Sequence, residues 1–361
     1  MVATLRDVAS AAGVHPATVS RALNPATADL VNAATAQRIR REARRLGYVP
    51  NPVARSLKTN RSASVGVLIP DLTNPLFPPI VRGIEDVLAD AGYSALIANT
   101  DGDTGKELLQ ASAMRARQVE GLIVATALLH HPLLEQLVAE QVPLVLMNRR
   151  VENLQTSTVT GDDASGMSMA VEHLVGLGHR RIAHLAGPQS TSPGIVRLQA
   201  FRAALAQHGL PADERLVVQC ADFREEDGAT ALAGMLDAGL EFTAVVAAND
   251  LMALGCYDAL AARGLRCPDD LSVVGFNDMP FIDKISPPLT TVHVPHYQIG
   301  AEAARLLLAK LNGSAADKSV LLPLSLTVRG STAAPADSRR GRSAGPAAVV
   351  RPSGRRRGAG R

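Results

Sequence analysis

The chain of 361 residues contains no tryptophan, only ten other aromatic residues and three cysteines. Cys220, Cys256 and Cys267 are an odd number without metal-ligand spacing, so we expect a reducing cytoplasmic compartment and ordinary apolar packing for each thiol. No apolar run is long enough to span a bilayer. The first residues also lack the apolar core of a signal peptide. This pattern argues against membrane proteins and disulfide-rich secreted proteins.

The sequence also lacks the usual enzyme and nucleotide-binding signatures. No GxGxxG follows the first apolar strand and no GxxxxGK[ST] occurs, while Asp103–Glu107 has the wrong spacing for a phosphate loop. There is no GxSxG or HExxH motif. The nine histidines are scattered, apart from the pair His130 and His131. We therefore expect no catalysis, no cofactor and no metal site.

Charge is distributed unevenly along the chain. Residues 1–64 hold ten Lys or Arg and three Asp or Glu, and residues 331–361 hold eight and one. The middle, residues 65–330, has a net charge of −11, although the whole chain has a net charge of +3. A basic head on an acidic globular body favours nucleic-acid binding by the head.

The first two dozen residues predict two short helices joined by a tight turn. Thr4 and Asp7 have the spacing of a capping box, Gly13 supplies the turn, and Pro16 follows the cap residue His15 at the first helical position. Apolar residues at helical spacing form one buried stripe on each helix. The second helix then presents outward Ala17, Thr18, Ser20 and Arg21. Such a pair suits the major groove of DNA, and an ordinary helical hairpin is the alternative.

A third amphipathic segment, residues 33–46, carries a basic face. Its outward residues are Arg38, Arg40, Arg41, Arg44 and Arg45, with Glu42 as the only acid among them. Arginines in this arrangement neutralise phosphates, although a charged helix face is more commonly just solvated. The excess of one sign favours DNA.

From Ser64 onward, short apolar segments alternate with helical ones. The strand candidates are residues 65–71, 94–99, 121–126, 143–148, 181–187, 215–220, 244–250 and 271–278. The helical candidates are residues 76–91, 104–117, 131–140, 163–177, 193–208, 225–238 and 250–263. This alternation predicts parallel sheets covered by helices on both faces. Eight strands with their helices fit two such sheets better than one.

Asparagine and aspartate recur where these strands end. The positions are Asp71, Asn99, Asn148, Asn249, Asn277 and Asp278, together with Asp162 at the end of a further short run, TVTGD. Ligands of open α/β sheets bind outside this carboxyl edge, which predicts a polar cleft for a hydroxyl- or amide-rich molecule. Helix N-caps use the same residue types. Asp162 and Asp250 each start a helix, so capping alone would explain their presence.

In sequence the chain resembles the lactose repressor/galactose repressor (LacI/GalR) family of bacterial transcription regulators, from residue 3 to about residue 330. The motifs that carry the resemblance are LRDVASAAGV-x-x-ATVSRALN, RRLGYVPNPVARSLKTNRS, VGVLIPDLTNPLF, GHRRIAHLAGP, FTAVVAANDLMALG and LSVVGFNDMPFIDKISPPLTTV. It implies a small all-α helix-turn-helix head, residues 1–49, and a hinge helix or linker, residues 50–63. It further implies an α/β body, residues 64–330, of two doubly wound parallel-sheet subdomains of periplasmic-binding-protein type.

The resemblance also assigns roles in DNA binding. It implies that residues 51–58 fold on the operator and that Leu57 is inserted between base pairs in the minor groove, where an apolar wedge kinks the duplex. Pro16 and Ala17 stand where hydrogen-bonding side chains are frequent, so direct readout falls mainly to Arg21 and His15. The expected DNA-binding residues are Thr4, His15, Pro16, Ala17, Thr18, Ser20, Arg21, Asn24, Ala54, Leu57 and Lys58.

For the effector, the resemblance implies a site in the cleft between the subdomains. The matching positions are Asn74, Leu76, Phe77, Asn148, Arg149, Thr191, Pro193, Arg197, Phe223, Asn249 and Asn277. We expect Arg197 to bind vicinal hydroxyls or a carboxylate with its planar fork, a surface salt bridge being the alternative. Phe77 and Phe223 are expected to offer flat apolar faces. Asn277 and Gly161 replace frequent acids, which weakens the assignment of any specific sugar.

Together these features predict a ligand-responsive transcription regulator, most simply a repressor, that acts as a homodimer on near-palindromic operator DNA in the cytoplasm, at the nucleoid. The expected effector is a sugar or sugar derivative, and induction and corepression are both open. The arginine-rich tail, residues 331–361, is expected to be disordered and has no leucine heptads for a tetramer. A solute-binding protein or a sugar-processing enzyme with the same two-lobed body is the alternative.

Overall fold

The structure, a computed structural model, describes residues 3–49, 62–313 and 316–336. It separates into two compact units, one with the residues up to Ser64 together with residues 115–120, the other with the rest of the chain. The expected hinge around Leu57 and most of the basic tail lie outside the described residues. Within the described ranges, no helix is long and apolar enough to cross a membrane.

The N-terminal unit contains three helices, α1 (Leu5–Ala12), α2 (Pro16–Leu23) and α3 (Ala33–Arg45), with a 3₁₀ turn over Pro25–Leu30 that the sequence pattern did not predict. The expected helix boundaries are confirmed by their caps. The Thr4 amide donates to the Asp7 carboxylate at 2.7 Å, and His15 Nδ1 accepts from the Ala17 amide at 3.2 Å. Gly13 makes the turn with φ +63°, a conformation that favours glycine.

A core of small residues holds these helices together. Its buried members are Val8, Ala9, Ala12, Val19, Ala22, Ala36, Ile39 and Ala43. Leu5, which stands three residues before Val8 and so at the helical spacing of the buried stripe of α1, is only partly buried against them. The predicted arginine face of α3 is exposed along its length.

The body contains twelve strands and eight further helices in its described residues. The strands are β1 (Ser64–Ile69), β2 (Ser94–Asn99), β3 (Gly121–Val124), β4 (Leu144–Met147), β5 (Ser157–Gly161), β6 (Ile182–Ala186), β7 (Val217–Gln219), β8 (Ala244–Ala247), β9 (Ser272–Asn277), β10 (Thr290–His293), β11 (Ser319–Leu322) and β12 (Ser325–Thr327). The helices are α4 (Phe77–Asp90), α5 (Thr104–Ala116), α6 (Pro132–Ala139), α7 (Asp163–Gly176), α8 (Ser192–Gln207), α9 (Glu225–Asp237), α10 (Asp250–Ala261) and α11 (His296–Leu311).

The strands form two sheets, as predicted, and each has six strands, whereas the sequence pattern supplied eight candidates in all. The first has the order β11-β5-β4-β3-β1-β2, and the second has the order β12-β10-β9-β8-β6-β7. Every pair with a defined register is parallel except β10 with β12. We call the first sheet with its helices lobe one, and the second sheet with its helices lobe two. The buried strands read as continuous apolar runs because helices cover both faces.

The chain passes between the lobes three times. It leaves lobe one after β5, returns from β10 through α11 to β11, and enters lobe two again at β12. The sequence pattern predicted two sheets but missed α11 and β10 to β12. Residues 296–311 do carry a helical repeat, because Ile299, Ala303, Leu306 and Leu307 are all buried on one face.

Two glycines allow helix α11 to pack closely against lobe one. It packs along α4, where a Cβ atom at Gly83 would overlap the Tyr297 carbonyl and one at Gly300 would overlap the Ile80 carbonyl. Two backbones can approach this closely only where a side chain is absent. The returning segment is therefore an integral part of lobe one.

The residues after β12 are ordered against lobe two as far as Ala336. Ser331 Oγ donates to the Val273 carbonyl at 2.6 Å, and the Ala333 amide donates to Ser272 Oγ at 3.1 Å. His179 Nε2 also lies 2.9 Å from the Ala333 carbonyl oxygen. The segment expected to begin the disordered tail is instead pinned beside β9.

Candidate functional site

The expected DNA-facing residues that the structure describes lie on α2, at its two ends, and at the start of α1. Thr4 caps α1, and His15 and Asn24 cap the two ends of α2. His15 and Arg21 are exposed, while Pro16, Ala17, Thr18 and Ser20 are partly exposed beside them. His15 uses only Nδ1 for its cap, which leaves Nε2 for another partner. Ala54, Leu57 and Lys58 lie outside the described residues.

The basic face of α3 is only partly neutralised. Arg45 Nε donates to Glu42 at 2.7 Å, and this bond holds the pKa of the Glu42 carboxyl below its usual value. Arg41 lies 3.7 Å from the same carboxylate. The other three arginines of the face make no ion pair with a described residue: Arg38, Arg40 and Arg44. They are free to contact phosphate.

In the body, a cleft of about 770 Å³ lies between the strand ends of the two lobes, and all eleven expected effector positions line it. Lobe one contributes Asn74, Leu76, Phe77, Asn148 and Arg149. Lobe two contributes Thr191, Pro193, Arg197, Phe223, Asn249 and Asn277. Charged residues that the sequence reasoning did not assign to the effector also line it: Asp71, Asp101, Asp222, Arg224, Glu225 and Glu226. The carboxyl edges of parallel strands meet here as predicted.

Arg197 is buried in the lobe-two wall, where three of its five N–H groups donate to neighbouring residues. Its side chain is only 4% exposed, so its ion pair is not a surface salt bridge. Nε and Nη2 donate to Asp163 Oδ1 at 3.1 and 2.8 Å, and Nη1 donates to the Ala248 carbonyl at 2.6 Å. The guanidinium carbon lies 3.7 Å from the centre of the Phe276 ring. Burial raises the pKa of Asp163, and Arg197 opposes that shift.

Arg149 stands in the opposite wall, where it is partly exposed and its side chain makes no hydrogen bond or ion pair with a described residue. It follows β4 directly, after Asn148, whose φ is +63°. Its Nε atom is buried and has no hydrogen-bond partner among the described residues. Burial lowers the pKa of the Arg149 guanidinium to about 10, while the carboxylates of Asp222 and Glu107 oppose that shift.

Several of the polar cleft residues are occupied as helix caps. Asn249 Oδ1 accepts from the Met252 amide at 2.8 Å, and its Nδ2 donates to the Phe223 carbonyl at 2.9 Å. Thr191 Oγ1 caps α8 in the same way by accepting from the Gly194 amide, whereas Asn74 Oδ1 accepts from the Leu76 amide in the turn just before α4.

Asn148 and Asn277 are different, since their side chains make no hydrogen bond with a described residue. Both have a positive φ, +63° and +119°. Backbone conformations of this kind cluster at functional sites.

The two phenylalanines do not play equal parts. Phe77 is only 2% exposed and belongs to the lobe-one core, so little of its surface is open to the cleft. Phe223 is half-buried, and its ring lies directly over Gly187, where a Cβ atom would overlap it. Of the two phenylalanines that were expected to offer an apolar face to the cleft, only Phe223 therefore remains a candidate.

Of the predicted strand-end residues, Asn99, Asp162 and Asp278 do not line the cleft. Asp162 caps α7, where its Oδ1 accepts from the Ser165 amide at 3.1 Å. Asp278 is held by Arg329 Nη2 at 2.7 Å. The cap interpretation was right for Asp162 and wrong for Asp250.

Asp250 is a buried carboxyl in lobe two. Asn249, not Asp250, caps α10. Asp250 accepts from Thr291 Oγ1 at 2.5 Å and from the Met279 amide at 2.8 Å. Burial raises the pKa of Asp250 to about 7, and these two bonds oppose the shift. No spacing in the sequence signals this burial, because its partners lie 29 and 41 residues away.

A search of the described residues finds no group of three or more His, Cys, Asp or Glu side chains placed to hold a metal ion.

Family models match both parts of the chain. The model for bacterial regulatory proteins of the lacI family matches residues 4–51. A periplasmic binding protein-like domain matches residues 171–332. The second match covers much of lobe two and the returning segment of lobe one.

Similar proteins cover nearly the whole chain. The HTH-type transcriptional repressor CytR of Escherichia coli (strain K12) is 36% identical over 334 residues, which is 92% of this chain and 97% of the relative. A crystal structure of the lac repressor dimer, bound to operator and the anti-inducer ONPF, has a TM-score of 0.82 and 30% identity, covering 92% of this chain and all of that one. The complex of the transcriptional regulator CelR with cellobiose has a TM-score of 0.71 and 33% identity, covering 91% and 99%.

Proposed function

The chain belongs to the lacI family of bacterial regulatory proteins, and from this premise we propose that it binds near-palindromic operator DNA as a homodimer under the control of a small effector. It is a transcriptional regulator, and the similar proteins named above are regulators rather than enzymes. The observation that carries the proposal is the convergence of all eleven expected effector positions, from both lobes, on one cleft.

For DNA binding, we assign base readout to α2, with Arg21 and Nε2 of His15 as the hydrogen-bonding groups. The unpaired arginines of α3 supply phosphate contacts that do not depend on sequence. Leu57 is proposed to kink the central step, with Ala54 and Lys58 beside it, so much of the selectivity comes from DNA shape. A two-fold dimer then requires two half-sites related by symmetry.

For the effector, we propose a sugar or sugar derivative. The cleft combines one flat apolar surface, Phe223, with the unbonded amides of Asn148 and Asn277. The related CelR binds cellobiose, which fits the same division between an apolar face and polar edges. The regulator CytR acts as a repressor, and we propose repression for this chain too.

Control of DNA binding follows from closure of the cleft. An effector that contacts both walls favours the closed arrangement of the lobes. The size of this shift equals the difference in its binding free energy between the closed and open forms. In a dimer, this closure changes the distance between the two hinge segments, and so their ability to fold on DNA. We propose action in the cytoplasm at the nucleoid, where operator DNA is found.

The test is selection of DNA from a random pool by the full-length protein at physiological salt, followed by binding measurements on the selected sequence. We expect a near-palindrome to be enriched and bound about 10³-fold or more tightly than random DNA. A variant lacking residues 1–62 should lose this binding and keep its ligand-induced thermal stabilisation. Failure to prefer any palindrome over random DNA contradicts the proposed function.

A further inference from the structure

His15 caps the N-terminus of α2 with its imidazole, and this use of the ring determines which of its two nitrogens carries the hydrogen. The Ala17 amide donates to His15 Nδ1 at 3.2 Å, so Nδ1 is the acceptor and has no hydrogen of its own. The hydrogen of a neutral imidazole is then on Nε2. Nε2 makes no hydrogen bond with a described residue, and the side chain is exposed. His15 therefore presents one N–H donor at the N-terminal end of α2.

The rest of α2 offers donors but no dedicated hydrogen-bond acceptor. Pro16 and Ala17 are apolar, and the helix contains no carboxylate and no side-chain amide. Arg21 is exposed, and its guanidinium can only donate. The hydroxyls of Thr18 and Ser20 can donate or accept. A face of this kind matches the acceptors on base edges, and it does not match the amino group of cytosine.

A phosphate oxygen is the other acceptor that DNA offers to an N–H donor. Charged side chains gain most from phosphate, because they release counterions. The arginines of α3 that make no ion pair with a described residue, Arg38, Arg40 and Arg44, carry that charge. His15 is neutral while Nδ1 caps α2. Since the N-terminal residues of the second helix contact base edges in helix-turn-helix proteins, a base is the better match for Nε2.

We propose that His15 reads a guanine in the major groove of each half-site, with Nε2–H donating to N7 of that base. Guanine presents two neighbouring acceptors there, N7 and O6, whereas adenine presents an amino group beside its N7 and cytosine presents an amino donor. The inference rests on the proposed function, since it assumes that α2 lies in the major groove of an operator. It adds to that function one guanine whose recognition depends on His15 and not on Arg21.

The first experiment separates the reading of a base from the capping of the helix. Full-length wild type, His15→Ser and the matched control His208→Ser select operator DNA from the same random pool, His208 being an exposed histidine of the body. Serine is a favoured N-cap residue, so α2 keeps its start. We expect His15→Ser to lose the preference for guanine at one position of each half-site and to keep the preferences at the other positions. His208→Ser should select the wild-type sequence.

The second experiment removes the acceptor from the DNA. Each guanine of the selected half-site is replaced in turn by 7-deazaguanine, which has a C–H group in the place of N7. We expect one of these replacements to weaken binding by wild type about 3- to 10-fold, as for the loss of one hydrogen bond, and to leave binding by His15→Ser unchanged. A guanine read by Arg21 is the internal control, because its replacement weakens both proteins.

Two results overturn the inference. If His15→Ser binds every sequence more weakly by the same factor, Nε2 contacts the phosphate backbone. If it selects the wild-type sequence with the wild-type affinity, His15 only caps α2. Scanning calorimetry shows whether His15→Ser folds as wild type does, and His15→Thr, with another N-cap residue, takes its place if it does not. A palindrome selected by wild type supports the proposed function whatever the variants do, so these results remove only the assignment of His15, whereas no palindrome for wild type removes both.

Discussion

On the lobe-two wall of the cleft, Arg197 and Asn249 are held by bonds to neighbouring residues, whereas on the lobe-one wall the side chains of Arg149 and Asn148 make none with described residues. Two residues depart from this contrast: the side chain of Asn277 in lobe two makes no hydrogen bond with a described residue, and Asn74 Oδ1 in lobe one accepts from the Leu76 amide. A wall whose side chains are already fixed loses little conformational entropy when a ligand binds. The side chains of the other wall, Asn148 and Arg149, are partly exposed and make no such bonds with described residues. From this contrast we propose that lobe two positions the effector and that lobe one responds to it.

The largest expected effect is in the buried ion pair of lobe two. Asp163→Asn removes the carboxylate that is ion-paired with Arg197, and breaking a buried pair on one side costs about 3 to 5 kcal/mol. The free energy of unfolding in urea measures this loss. Arg149→Met in lobe one is the matched comparison and should cost nothing. Equal losses in the two variants would remove the distinction between the walls.

The next largest expected effect is a pH dependence of stability that comes from Asp250 in lobe two. The pKa of Asp250 is raised to about 7 in the folded protein from an ordinary value of 3.8. Between these values the folded state holds a proton that the unfolded state has lost, so this group's contribution to stability is full below pH 3.8 and falls as pH rises through 7. Asp250→Asn keeps an amide acceptor for the Met279 amide and cannot ionise.

Melting temperatures of wild type and Asp250→Asn between pH 5 and 8 test this expectation. The difference between the two proteins should change in favour of the variant as the pH rises. His184 and His296 titrate in the opposite sense, because burial lowers the pKa of each to about 4. Their contribution to stability is lost as pH falls from 6.5 toward 4, and it is common to both proteins. Parallel curves would show that Asp250 ionises normally.

A smaller difference in stability is expected between variants of two strand-end asparagines. Asn249→Ala loses the cap of α10 and the bond to the Phe223 carbonyl, and loss of a cap costs about 1 to 2 kcal/mol. Asn148→Ala loses no described hydrogen bond of its side chain, although alanine tolerates the positive φ less well. Chemical denaturation should therefore show the larger loss for Asn249→Ala. The reverse order would mean that the lobe-one wall is the more tightly held.

The smallest effect lies at the exposed rim of the cleft. Arg224 pairs with Asp222 at 2.9 Å, and both side chains are at least half exposed. Exposed pairs of this kind contribute about 0 to 1 kcal/mol, so Arg224→Gln should leave the unfolding free energy nearly unchanged. A loss comparable to that of Asp163→Asn would show that the rim, rather than the lobe-two wall, organises the site.

Much of this architecture was predictable because its determinants are local in sequence. The capping box of Thr4 and Asp7, the glycine turn at Gly13 and the strand-end asparagines are all read from short spacings. The resemblance to a known family then brought the eleven cleft positions together. Short-range signals and family motifs thus predicted where the cleft lies.

What could not be predicted depends on partners that are distant in the chain. Arg197 was expected to bind a ligand. Its ion pair with Asp163 could not be predicted, because the two residues are separated by 34 positions in the sequence. The burial of Asp250 and of Phe77 likewise comes from tertiary packing that no local pattern encodes. The charge state of the cleft is set by these long-range contacts, and so it had to be read from the structure.

The three passages of the chain between the lobes have a consequence for synthesis on the ribosome. Lobe one lacks α11 and β11 until residue 322 has emerged, and lobe two lacks β12 until residue 327 has emerged. Neither lobe can be completed as a contiguous nascent segment, so both wait for the last part of the body. Contacts of such wide sequence separation slow folding. Truncation at any single point between the lobes should accordingly release no intact half.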